Sequence, residues 1–116
     1  VIGASVDSKF SHKGWLESGG ITEDKTLRHP IIADLNKNVS RDYGVLNEEV
    51  GIAMRGTFII DPKGKIRSYT VNDAPIGRNI DEAIRTVQAL QHIESAGGKE
   101  VCPVNWKPGS KAIKLG

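Results

Sequence analysis

Gly56-Thr57-Phe58-Ile59-Ile60-Asp61-Pro62-Lys63-Gly64-Lys65-Ile66-Arg67-Ser68-Tyr69-Thr70-Val71 is the stretch from which the fold can be read. Two runs rich in β-branched and aromatic residues flank Asp61-Pro62-Lys63-Gly64. Proline second and glycine last is the order that a type I turn followed by a left-handed residue requires. The stretch therefore reads as a β-hairpin. Its second arm sets Ile66, Ser68 and Thr70 against Arg67, Tyr69 and Val71, so it is expected to be half exposed, an edge strand open to pairing with another chain.

Working outward, His29-Pro30-Ile31-Ile32-Ala33-Asp34 reads as a short strand with Pro30 at its entry, where a missing N–H does no harm. Asn38 to Gly44 suits a short helix closed by Gly44. Val1 to Val6 is an apolar run ended by Asp7-Ser8, the pattern of a strand buried on both faces. Ser11 is the expected cap of a helix through Trp15, Leu16 and Glu17, stopped at Gly19-Gly20. Residues 21–27 read as a loop.

Downstream, Asn79 and Glu82 mark a helix start. Ile80, Ile84, Val87, Leu90 and Ile93 recur at helical spacing and predict one apolar stripe laid on the sheet. Gly97-Gly98 ends this helix and opens a Pro/Gly/Lys-rich tail. Strand, helix, strand, helix, hairpin, helix is the order of an α/β fold with a sheet of mixed direction.

At 116 residues the chain is expected to form one domain without staples. With 38% hydrophobic and 26% charged residues its composition is that of an ordinary globular protein. A net charge of +2 is too small to point to nucleic acid, and the basic residues are not interleaved with aromatics. No apolar run approaches the roughly 20 residues of a bilayer span, so no membrane is expected and the location is read as cytoplasmic. The chain opens inside an apparent core strand, without Met or a polar lead-in, and is read as the C-terminal part of a longer protein.

Cys102 is the only cysteine, within Glu100-Val101-Cys102-Pro103-Val104-Asn105-Trp106-Lys107-Pro108-Gly109. Its Lys- and Pro-rich surroundings suit an accessible, electropositive loop rather than a core, and accessible thiols are the reactive ones. A single thiol has no disulfide partner within the chain. His12, His29 and His92 are scattered without metal-ligand spacing and are read as helix start, loop and surface respectively, so no metal and no cofactor are expected. Asp34 and Asp61 read as turn and strand-end residues.

Several blocks then converge on one family. Ser5-Val6-Asp7-Ser8 with Phe10-Ser11-His12 and Trp15, Pro30 to Asp34, Asp42-Tyr43-Gly44-Val45-Leu46, Arg55 to Asp61, Asn72-Asp73-Ala74-Pro75-Ile76-Gly77-Arg78 and Glu100-Val101-Cys102-Pro103 resemble, in order, the typical two-cysteine peroxiredoxins. The resemblance implies a thioredoxin-like mixed sheet with flanking helices, its N-terminal part missing. Residues 1–94 would be the C-terminal portion of that domain and residues 95–116 the tail bearing the resolving cysteine.

The same resemblance implies a thiol peroxidase that reduces hydrogen peroxide and alkyl hydroperoxides through an intersubunit disulfide, re-reduced by thioredoxin or a flavoprotein disulfide reductase. Cys102 matches the resolving position, Arg55 the arginine beside the peroxidatic thiolate and Arg78 a second arginine near the same site. No residue matches the family's proline-threonine-cysteine motif, so the fragment alone would be inactive. A homodimer or a ring of dimers is implied, joined through Lys65 to Val71. Gly19-Gly20-Ile21-Thr22 resembles only partly the Gly-Gly-Leu-Gly insertion of easily overoxidised members, and no Tyr-Phe follows at the end. The rival reading is a non-catalytic thioredoxin-like interaction module or chaperone-type oligomer. A disulfide reductase is disfavoured because there is no Cys-x-x-Cys.

Overall fold

In a computed structural model, residues 1–20 and 26–116 are described; the first five residues of the expected 21–27 loop lie outside them. The described residues gather into two compact groups, one of residues 1–56 and 73–75 and the other of residues 57–72 and 76–116.

In the first group β1 (Gly3–Ser5) pairs in parallel with β2 (Ile31–Ala33), Gly3 opposite Ile31 and Ser5 opposite Ala33. The apolar run at the start is thus a strand, shorter than expected and not buried on both faces: Val1 is 98% exposed and Ile2 67%. Among the described residues β2 is the one strand paired with β1. Helix α1 (Lys9–Glu17) is capped by Ser8, not Ser11; the Ser8 hydroxyl accepts from the Ser11 amide at 3.1 Å. Both serines suit a cap, and Ser8 takes the position because its extended backbone places its oxygen over the first turn. The helix ends at Ser18 and Gly19 follows with φ 113°.

Helix α2 (Asn38–Asp42) closes on Gly44, whose φ of 71° is the left-handed conformation glycine adopts without strain. It is anchored by Asp34, only 2% exposed, which accepts from the Val39 amide at 3.0 Å, the Ser40 amide at 2.8 Å and the Ser40 hydroxyl at 2.6 Å. Burial pushes the Asp34 pKa up. The Ser40 and Val39 hydrogen bonds and the Arg41 charge outweigh it, and the carboxyl lies below its ordinary value. Two short strands that the sequence did not announce, β3 (Leu46–Asn47) and β4 (Ile52–Ala53), form an antiparallel pair beside buried Val45.

The hairpin is present as read. β5 (Arg55–Ile60) and β6 (Ile66–Asn72) are hydrogen-bonded neighbours. The Asp61 amide donates to the Lys65 carbonyl at 2.9 Å, and Gly64 sits at φ 81°. Asp61 Oδ1 accepts from the Lys63 and Lys65 amides at 2.9 and 3.0 Å, a side chain that fixes the turn around itself. Tyr69 is 70% exposed and stacks its ring 6.0 Å from Phe58, so β6 is the half-exposed arm expected of it.

Helix α3 (Ile80–Ser95) is capped by Asn79, whose side chain accepts from the Glu82 amide at 3.1 Å. Its apolar stripe is not covered along its length: Ile80, Ile84 and Val87 are 61%, 50% and 39% exposed. Arg85, Ala89, Leu90 and Ile93 line a groove together with tail residues. The tail is itself folded. β7 (Glu100–Val101) pairs antiparallel with β8 (Ile113–Lys114), and Trp106 is 3% exposed. Parallel and antiparallel pairs coexist, as the mixed α/β reading requires.

Candidate functional site

Arg55 opens β5 and is exposed; its Nε donates to the Ala74 carbonyl at 2.9 Å, which ties the strand start to residues 73–75. Arg78 lies in the other group, in the loop before α3, where its Nε donates to the Thr57 hydroxyl at 3.2 Å. Each guanidinium donates through its Nε to a neutral acceptor, which orients the group.

Cys102 directly follows β7 and is half-buried with a free thiol, not the fully accessible residue expected from the tail's composition. Its Sγ lies 3.9 Å from the Ala89 carbonyl of α3, at the limit of a thiol hydrogen bond. Thiol and helix share an open groove of about 750 Å³ lined by Arg85, Ala89, Leu90, Ile93, Cys102 and Pro103 together with further tail residues.

The groove is framed by contacts that sequence reasoning missed. Arg85 Nε and Nη2 donate to the two Glu82 carboxylate oxygens at 2.6 and 2.8 Å, while Nη1 reaches the Trp106 carbonyl at 3.0 Å. The Glu82 hydrogen bond raises the Arg85 pKa above its ordinary value, and the nearby Cys102 sulfur adds in the same direction. One turn from the end of α3, His92 Nε2 lies 2.7 Å from Glu100 Oε2, and its ring packs against Trp106 at 5.1 Å between centroids. His92 is therefore not the free surface residue expected, because the folded tail covers it. The available signal was positional: Arg85, Ala89 and His92 are spaced four and three apart, one face of one helix.

The other two histidines belong to the first group. His12 Nε2 meets the Ser5 hydroxyl, which also bonds Asp7 at 2.9 Å, and His29 Nδ1 lies 3.2 Å from the Pro30 carbonyl. No group of three or more His, Cys, Asp or Glu that could hold a metal ion occurs among the described residues, and no described helix is long and apolar enough to cross a membrane.

Residues 1–69 match the AhpC/TSA family and residues 89–115 match the C-terminal domain of 1-Cys peroxiredoxin. The chain is 51% identical to peroxiredoxin prdx-2 of Caenorhabditis elegans over all of its own length and 57% of that protein. It is also 51% identical to a thioredoxin peroxidase of Trypanosoma brucei rhodesiense over 98% of its length and 57% of the relative. Among solved structures, the reduced 2-Cys peroxiredoxin of Plasmodium vivax superposes with a TM-score of 0.84 at 37% identity, covering 96% of this chain and 56% of that one. AhpC of Enterococcus faecalis gives 0.77 at 41% identity, covering 89% and 60%. The fold is thus the thioredoxin-like one, and the chain spans a little over half the length of these relatives.

Proposed function

The chain belongs to the AhpC/TSA family, and on that premise we propose that it is part of a typical two-cysteine peroxiredoxin in which Cys102 is the resolving cysteine. The observation that carries the reading is the place of Cys102. It is the chain's one thiol, half-exposed at a groove just past β7, inside residues 89–115, which match the C-terminal domain of 1-Cys peroxiredoxin.

In this reading a peroxidatic thiolate elsewhere in the full-length protein attacks the peroxide O–O bond, releasing water or an alcohol and becoming a sulfenic acid. Cys102 of a second copy then displaces water from that sulfenic acid and forms the disulfide, which thioredoxin or a flavoprotein disulfide reductase reduces with two electrons. Arg55 and Arg78 supply positive charge to the peroxidatic thiolate and the developing oxyanion. Their guanidiniums, each oriented through its Nε, support that role. The copies pair through the exposed arm β6, in a homodimer or a ring of dimers, and act in the cytoplasm. The test is the formation of a disulfide from Cys102 to a second cysteine when the full-length protein meets peroxide.

A non-catalytic interaction module is the second reading, and the exposed stripe of Ile80, Ile84 and Val87 favours it. Peroxide consumption by the full-length protein separates the two.

A further inference from the structure

The positive charge of the chain is gathered around its one thiol. Residues 99–116 carry four lysines, Lys99, Lys107, Lys111 and Lys114, against the single acid Glu100, whereas residues 1–98 carry twelve basic and thirteen acidic residues. The net charge of +2 therefore comes from the tail. All four lysines are exposed, and none makes an ion pair among the described residues. The acids that could offset them are engaged elsewhere: Glu82 holds Arg85 at 2.6 Å, Glu94 holds Arg67 at 3.3 Å and Glu100 meets His92 at 2.7 Å. Asp81 stands in the first turn of α3, where the helix amides attract it.

The fold keeps these charges beside the sulfur. Lys99 is three residues from Cys102, a span of at most about 10 Å along the chain. The β7–β8 pairing sets Lys114 opposite Glu100, two residues before the thiol, and the Leu115 amide donates to the Lys99 carbonyl at 2.9 Å. Lys107 lines the same groove as Cys102, and its amide donates at 3.3 Å to the hydroxyl of Ser110, the neighbour of Lys111. At physiological salt a charge is felt over about 8 Å, so an ion approaching Cys102 meets this field. Apolar Ala89, Leu90 and Ile93 line the groove as well, so a docked protein would find an apolar patch bordered by basic residues.

We propose that these four lysines make the tail an electrostatic docking surface for an acidic disulfide reductase, drawing its thiolate to the disulfide of Cys102. The inference rests on the reading of Cys102 as a resolving cysteine. In that reaction a reductase thiolate attacks one sulfur of the disulfide and the other sulfur leaves as a thiolate. The second thiol of the reductase then closes the reductase's own disulfide and frees the first sulfur, so two electrons pass. The attacking group is an anion on an acidic protein. Complementary charge raises the encounter rate of such a pair by about tenfold or more at low salt without adding contacts.

The experiment uses the full-length protein and two variants, K99Q/K107Q/K111Q/K114Q, which removes the charge, and K99R/K107R/K111R/K114R, which keeps it. The disulfide form, made with hydrogen peroxide, is reduced by a thioredoxin of net negative charge while ionic strength rises from about 20 to about 500 mM. In the parent and the arginine variant the rate is expected to fall about tenfold over that range; in the glutamine variant it starts about tenfold lower and stays flat. Cysteamine, whose thiolate form is a neutral zwitterion, should reduce all three proteins at rates within about twofold. The same salt dependence in parent and glutamine variant overturns the proposal. So does an equal loss of rate with cysteamine, which would mark a damaged tail and not lost steering.

The reduced proteins give a readout that needs no peroxide. Alkylation of Cys102 by anionic iodoacetate, relative to neutral iodoacetamide, should drop severalfold in the glutamine variant and hold in the arginine variant. An unchanged ratio in the glutamine variant overturns the proposal. If the parent forms no Cys102 disulfide at all, the peroxidase reading fails, while this ratio still decides whether the lysines act on the thiol.

Discussion

The sulfur of Cys102 lies 3.9 Å from the carbonyl oxygen of Ala89 on α3, the helix that carries Arg85 and His92, at the wall of an open groove. A residue whose sequence context suits an exposed loop is therefore seated.

Replacing Cys102 with serine in the full-length protein is expected to abolish the intersubunit disulfide and turnover with thioredoxin, while leaving a single round of peroxide reduction. Non-reducing gels and stopped-flow measurements check this. A disulfide-linked dimer persisting in the variant would sink the assignment of the resolving role.

Arg55→Ala is expected to slow the peroxide-reducing step by about 100-fold, the usual loss when one oriented donor to a developing anion is removed. The Nε bond to Ala74 aims the side chain and also ties the strand start to residues 73–75, so the single-turnover rate is read beside a urea midpoint to separate chemistry from stability. An unchanged single-turnover rate contradicts the role.

Trp106 is 3% exposed and packs on His92, so Trp106→Ala removes the largest buried side chain of the tail. A loss of roughly 3 kcal/mol is expected, in the range for large aromatic truncations. Urea unfolding measures it, and limited proteolysis should cut first within residues 99–116. A wild-type cleavage pattern and midpoint would show that the tail is held by something else.

The lowered pKa of Asp34 makes stability pH-dependent with a definite sign. A carboxyl whose folded pKa lies below its unfolded value contributes fully above the unfolded value of about 3.9. The contribution is lost as pH falls through the lower folded value. Asp34→Asn should therefore lower stability near neutrality and flatten the acid limb below about pH 4. Urea midpoints measured from neutral pH downward decide it, and parallel curves for parent and variant would refute it.

If β6 joins two copies, Tyr69→Asp, at a residue 70% exposed on that arm, places like charges near the two-fold and should shift the protein toward monomer. Sedimentation velocity reads the outcome. A dimer of unchanged strength puts the interface elsewhere.

Elements with local causes were legible in the sequence. The Asp61–Gly64 turn, the Asn79 cap and the Gly44 stop each rest on residues within a few positions of one another, and each stands where expected. What the sequence concealed is made by distant partners. β3, β4, β7 and β8 are two-residue strands too short to show a period, and the tail folds because Trp106 finds α3. The same holds for the candidate site. Cys102, Arg55 and Arg78 could be named from their motifs, whereas Arg85 and His92 gain their place only when residues 99–116 return to cover their helix face.

The most direct measurement is mass mapping of disulfides in the full-length protein after one equivalent of hydrogen peroxide. A cross-link between Cys102 of one copy and a peroxidatic cysteine of another, removed by thioredoxin or a disulfide reductase, is the predicted result. Peroxide consumed while Cys102 stays a free thiol would contradict the account.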